Sequence, residues 1–264
     1  MAKRSPGCNK VDYFDTHCHL NHEAFTDDFD AVLQRAGEVG VKHILVPGWD
    51  VESSQKAVQL AERYPQILAA VGFHPEDWQK ASIEAVKKIE TLALHPRVVA
   101  IGEIGLDYHY DSDHKMEQTE LLLKMLALAD AVDKPVLIHS RESLDDLLGL
   151  IHAWKPRKNI GILHAFEGNL DQAREVIEMG FHLGVGGPLT YKNSSTKKAV
   201  FAEIHESAIV LETDAPYLPP TPFRGQRNEP AYLPLVGEQL ALLRGKDPKE
   251  LLGSIYQNSN KMFL

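Results

Sequence analysis

Residues 11–19, Val-Asp-Tyr-Phe-Asp-Thr-His-Cys-His, run from a short apolar segment straight into two histidines one residue apart. Side chains of a strand alternate between faces, so His17 and His19 leave the same face together, with Asp15 one step earlier on it. Two imidazoles converging where a buried strand ends form half of a metal site; the alternative is a polar turn with both rings in solvent. Cys18 points the other way and is expected to pack rather than react.

The same figure recurs down the chain. Lys42–Pro47 is apolar with a proline at its exit, and 67–71 runs into Gly72-Phe73-His74-Pro75. Segment 97–101 runs into Gly102-Glu103-Ile104-Gly105-Leu106-Asp107-Tyr108, and 135–138 ends at His139-Ser140-Arg141. Segment 160–163 ends at His164-Ala165-Phe166-Glu167-Gly168, 181–185 at Gly186-Gly187, and 208–212 at Thr213-Asp214. Helical spacing fills the intervals: 27–38 with Thr26 as cap, 52–63, 81–94, 117–132, 143–153, 170–179 capped by Asn169, and 195–205. Helix 231–243 follows, and Asp247-Pro248 with Glu250 opens a last helix that Leu251, Leu252, Ile255 and Phe263 anchor.

Short strands rich in Val, Ile and Leu, alternating with helices, read as parallel strands covered on both faces. Eight such units in 264 residues predict an α/β fold, a (β/α)8 TIM barrel forming one domain over 11–264 behind a flexible tail, 1–10. The prolines of 214–230 stiffen a loop over the barrel mouth.

Composition narrows the function. The chain is 44% hydrophobic and 25% charged, with a formal net charge of -9, which argues against a broad basic surface for duplex nucleic acid. Two cysteines, Cys8 and Cys18, make no disulfide framework. Neither a signal-peptide core nor a long apolar run is read, so the expected compartment is the cytoplasm, without membrane attachment.

Six of the strand-end residues are the imidazoles and carboxylates that borderline divalent metals take: His17, His19, Glu103, His139, His164 and Asp214. Each alone could be a hydrogen-bonded rim residue, but six around one ring are hard to explain that way. They suit two ions (Mg, Mn or Zn), with His17, His19 and Asp214 on one, His139 and His164 on the other, and Glu103 bridging. A water between the ions would be the nucleophile and Asp214 its proton acceptor. Arg141, Arg227 and His74 are candidate phosphate contacts, the alternative for Arg141 being a salt bridge to Glu142 or Asp145. Lys197-Lys198 is read as a solvated helix face, and the Gly186-Gly187 pair matches no nucleotide-binding spacing.

These blocks, together with Leu211-Glu212-Thr213-Asp214-Ala215-Pro216-Tyr217-Leu218 and Arg227-Asn228-Glu229-Pro230, resemble the TatD family of metal-dependent deoxyribonucleases, over essentially Val11 to Phe263. The resemblance implies a barrel phosphodiesterase acting on DNA, trimming a single-stranded or frayed 3′ end with divalent metal. It places the family's ligand roles on the same six residues, puts His74 and Arg141 near the phosphates, and makes Glu212 a carboxylate behind the ligands, as Asp15 is on the first strand. The chain departs from the family at 164–168, where a Cys and a Ser are common and Ala165 and Glu167 stand here; Glu167 would repel a polyanion unless paired or turned outward. Two other readings remain: the same site acting on a small phosphoester, lactone or amide, and a metal-binding barrel without turnover. A monomer is the expected assembly.

Overall fold

A computed structural model describes residues 11–154 and 160–264; the tail expected over 1–10 lies outside the described residues. Eight strands, β1 Tyr13–Asp15, β2 Val41–Pro47, β3 Ile67–Val71, β4 Val98–Asp107, β5 Val136–Arg141, β6 Gly161–Leu163, β7 His182–Val185 and β8 Ile209–Leu211, form one parallel sheet in chain order. Nine helices are described around it: α1 Phe29–Val39, α2 Val51–Arg63, α3 Ile83–Ala93, α4 Lys115–Val132, α5 Leu144–Trp154, α6 Leu170–Glu178, α7 Ser195–Glu203, α8 Leu233–Arg244 and α9 Pro248–Phe263. The expected (β/α)8 barrel is therefore present. Its seam closes just beyond the ends of β1 and β8: Thr16 N–H donates to Leu211 O at 3.0 Å, Asp214 N–H to His17 O at 2.8 Å, and Cys18 bridges Ala215 in parallel.

Alternation along each strand sorts the core into two layers. One set of side chains packs outward on the helices. The other, Phe14, Leu45, Leu68, Ala70, Ala100, Leu137, Ile162 and Val210, fills the barrel, and Phe263 of α9 plugs it with its ring 5.7 Å from Phe14. Every strand except β7 contributes to this interior cluster. In β7, a Cβ built on Gly184 would stand 2.2 Å from Oε2 of Glu212, so a buried carboxylate occupies the space that a side chain would take.

Several boundaries differ from expectation for identifiable reasons. Thr26 does not cap α1; it ends a 3-10 turn at Glu23–Phe25, and Asp28 precedes the helix. The Asp28 carboxylate makes no capping bond because Arg227 and Arg35 hold it. β4 does not stop at 101 but continues to Asp107, ten residues in all, through a register shift, so Glu103 and Asp107 lie within a strand. Helix 231–243 begins at Leu233, after a 3-10 turn over Pro230–Tyr232. Asn169 and Asp247 cap as expected, accepting from Gln172 and Glu250 N–H.

The basic pair at 197–198 is not a solvated face. Lys197 Nζ donates to Ala165 O and Phe166 O, and Lys198 Nζ to Tyr191 O, so both ammonium groups satisfy loop carbonyls. The proline-rich segment is tied down too: Asn228 Nδ2 donates to Thr213 O at 2.8 Å and Tyr217 O at 2.7 Å, and Tyr191 Oη donates to Pro219 O at 2.9 Å.

Candidate metal centre

The six expected ligand residues come together at the C-terminal mouth of the barrel. His17 and His19 are buried, and their Nε2 atoms face each other at 3.2 Å. Both lie near Asp214 Oδ1, at 3.8 Å from His17 and 3.4 Å from His19. Asp214 has φ 57°, a left-handed backbone that turns its side chain back towards the histidines. On the opposite side, His139 Nδ1 and His164 Nε2 stand 3.2 Å apart.

Glu103 lies between the two groups and divides its oxygens between them. Oε2 faces Nε2 of His17 at 3.3 Å and of His19 at 3.6 Å. Oε1 faces Nδ1 of His139 at 3.1 Å and Nε2 of His164 at 3.0 Å. Burial alone would push this carboxyl up, but the surrounding imidazoles outweigh it and hold it well below the usual carboxylate range.

Ring nitrogens and carboxylate oxygens crowded at these distances repel unless protons or cations sit among them. The balance of charge falls unevenly on two stacked rings whose centroids are 3.9 Å apart. Burial and the neighbouring His164 bring His17 down to about 4. Burial opposes charge on His164 as well, yet Glu103, Glu212 and Asp214 outweigh it and raise that ring. Among the described residues, His17, His19 and Asp214 form one group able to hold an ion, and Glu103, His139 and His164 another. Buried imidazoles and carboxylates are the donors that divalent metals take, and two such groups sharing a carboxylate edge fit a binuclear centre.

Asp107 was absent from the expected ligand set. Its Oδ2 lies 2.8 Å from His139 Nε2, so the ring is clamped between Asp107 and Glu103. Asp107 is itself fixed: its N–H donates to Gln118 Oε1 at 2.9 Å, and Oδ1 accepts from His109 and Tyr110 N–H. A carboxylate behind a ligating imidazole sets its tautomer and direction. The sequence places Asp107 in the same strand-end block as Glu103; what it does not show is the contact with His139.

His74 joins the cluster, its Nε2 3.8 Å from Glu103 Oε1 and its ring 4.4 Å from that of His139. Burial and the His139 charge bring it down to about 3, so the ring is neutral. Nδ1 accepts from Glu76 N–H at 3.3 Å, which leaves the proton on Nε2, facing the site. Glu212 sits behind His164: Oε1 accepts Ala165 N–H at 2.6 Å and lies 3.8 Å from His164 Nδ1. Asp15 holds the barrel seam instead of a histidine ring, accepting from Thr213 Oγ1 at 2.6 Å and Thr213 N–H at 2.9 Å.

The two arginines part company. Arg141 pairs with neither Glu142 nor Asp145; its guanidinium lies over the Tyr110 ring, 4.8 Å from the centroid, while Glu142 binds His109 and Asp145 binds Gln172. Arg227 is not brought to the cluster. Its fork closes on Asp28 with two bonds of 2.7 Å, and it also donates to Ala24 O. Glu167 is exposed, at the edge of a 470 Å³ cavity beside His164 that Glu142, Asp145 and Asp146 also line. Cys18 is buried, and burial pushes its thiol well up, as packing requires.

A parallel barrel with two abutting His/carboxylate groups at its C-terminal mouth is the architecture of a metal-dependent hydrolase. Its family follows from comparison: a sequence profile of the TatD related DNases matches residues 14–264, and the chain belongs to that family. It is 40% identical over 250 residues to the uncharacterized metal-dependent hydrolase YabD of Bacillus subtilis, covering 95% of this chain and 98% of that one. The 3′-5′ ssDNA/RNA exonuclease TatD of Salmonella typhimurium is 34% identical, over 95% of this chain and 98% of its own. The crystal structure of the TatD homologue YjjV from Escherichia coli superposes with a TM-score of 0.91 at 36% identity, covering 95% of this chain and 97% of that one.

Proposed function

We propose that the chain hydrolyses phosphodiester bonds at the 3′ end of single-stranded DNA. The observation that carries this is Glu103, whose two oxygens each face a separate histidine pair, an arrangement that would hold two cations and so supply the positive charge a phosphoryl group needs. Support also comes from the exonuclease relatives and from Arg141, which has no carboxylate partner among the described residues and stands two positions beyond His139.

Divalent ions bound in the two groups would supply positive charge to the phosphoryl oxygens and acidify the attacking water. His17, His19 and Asp214 would hold one ion, and His139 and His164 the other. Asp214 accepts the water's proton. Burial opposes its ionisation, but His19, His164 and His17 hold it below the ordinary range, so it is a carboxylate at neutral pH. Glu103 is fully engaged by imidazoles and orients rather than accepts. His74 presents Nε2–H to a non-bridging phosphoryl oxygen, and Arg141 neutralises the adjoining phosphate. The water oxygen bonds to phosphorus as the bond to the 3′ oxygen of the penultimate nucleotide breaks; that oxygen takes up a proton and becomes the 3′-hydroxyl of the shortened strand, and a 5′-nucleotide is released.

A time course with 5′-labelled single- and double-stranded oligonucleotides in Mg²⁺, Mn²⁺ and Zn²⁺, with EDTA as control, tests the proposal. A ladder shortening from the 3′ end of the single strand is expected. Turnover of a small phosphoester with intact oligonucleotides would overturn it.

A further inference from the structure

Three aromatic side chains stand around the metal centre rather than in the core. Tyr217 is 51% exposed and Tyr110 is 62% exposed, while Trp49 is half-buried just past the end of β2. Large exposed rings lose hydrophobic stabilisation, so a cluster of them at a mouth calls for an occupant.

Each ring is tied by the backbone to a residue of the site. Tyr217 N–H donates to Asp214 O at 2.9 Å, and Asn228 holds the Tyr217 carbonyl from behind. Tyr110 N–H donates to Asp107 Oδ1 at 3.1 Å. Trp49 O accepts His74 N–H at 2.9 Å. The backbone that carries each ring is thus anchored to the reacting centre.

They lie on two sides of it. Trp49 and Tyr217 both approach His19 edge-on, with centroids at 5.4 and 5.9 Å, and both approach His22, at 6.3 and 5.9 Å. No parallel ring covers Trp49 or Tyr217 among the described residues. Tyr110 lies on the His139 side, backed by the Arg141 guanidinium. A stacking platform takes any base, because every base has a π face, but only a base that is unpaired and splayed from its neighbour.

We infer that Trp49 and Tyr217 on the His19 side, and Tyr110 with Arg141 on the His139 side, are stacking platforms for the unpaired bases flanking the scissile phosphate. Substrate selection then rests on base stacking across the cleavage point rather than on a basic groove, in keeping with a net charge of -9. The inference deepens the nuclease reading and rests on it.

The test compares kcat/KM, in Mn²⁺, on a 5′-labelled single-stranded oligonucleotide and on the same strand carrying abasic residues at its 3′-terminal and penultimate positions. Wild type is expected to prefer the natural strand by about 5- to 100-fold. Trp49→Ala, Tyr217→Ala and Tyr110→Ala should each lose about 5-fold or more on the natural strand and under about 2-fold on the abasic one. Tyr217→Phe and Tyr110→Phe should retain the preference, since the ring and not the hydroxyl stacks. Equal losses on both strands would mean a structural role and overturn the inference. Unchanged rates on the natural strand would overturn it and leave the nuclease reading standing. No cleavage of any oligonucleotide by wild type would overturn both.

Discussion

Gly184→Ala tests whether the missing inward side chain of β7 makes room for Glu212. A methyl there would meet Glu212 Oε2 at 2.2 Å and Cδ at 2.7 Å, so the carboxylate must retreat by about 1 Å to reach ordinary contact. It has little room to do so: Glu212 is buried, and Oε1 is held by Ala165 N–H at 2.6 Å. Losing a hydrogen bond to a charged group costs about 1.5–3 kcal/mol, and overpacking a core adds about 1–3. Against this, Ala restricts the unfolded chain relative to Gly, a gain of only about 0.4–1 kcal/mol. The net expectation is a loss of about 1.5–5.5 kcal/mol, which for a domain of this size lowers Tm by on the order of 10 °C. Urea denaturation and a circular dichroism melt read the effect. Glu212→Asp retracts the carboxylate, so the double variant should be at least about 1 kcal/mol less destabilised than the two single changes combined. A Gly184→Ala protein within about 1 kcal/mol of wild type, with unchanged activity, would refute the packing argument.

Asp107→Asn should lower metal affinity about 10- to 100-fold by calorimetry while leaving the melt nearly unchanged, since it removes the acceptor behind His139 and keeps the shape. Glu103→Gln should cut the number of ions bound as well as the rate; two tightly bound ions in that variant would remove its bridging role. Metal loading should release protons, because the carboxylates around His164 raise its pKa and a ligating imidazole must be unprotonated. Apparent affinity should therefore rise with pH across the neutral range, and heats measured in buffers of different ionisation enthalpy should differ. Arg227→Ala should cost about 1 kcal/mol at neutral pH, the pair being partly exposed. Hydrogen bonds from Arg227, with Arg35 assisting, bring Asp28 down to about 2, so this stabilisation is complete above about pH 4 and is lost as pH falls through 2. The gap between variant and wild-type melting temperatures should close over that acid range.

The ligand cluster was legible because its information is local. Strand alternation and placement at strand ends depend on neighbours one or two residues away, and they grouped His17 with His19 and singled out Glu103, His139, His164 and Asp214. The helix caps at Asn169 and Asp247 could be read for the same reason. Asp107 stands in the same strand-end block as Glu103, but nothing local gives it a role; its role comes from its contact with His139. Other features have no local signature. Lys197 reaches the carbonyl of Phe166, 31 residues away, and Arg227 reaches Asp28 across 199. Asp107 meets His139 over 32 residues. Alternating short apolar strands and helices thus determined the barrel and the candidate metal ligands at its mouth, because hydrophobic periodicity is written into consecutive positions. Which charges are satisfied, which glycine yields space to a carboxylate, and which aromatic rings stand free beside the site were decided only by the tertiary structure. These depend on the distance between elements after packing, and that distance is set by the whole barrel.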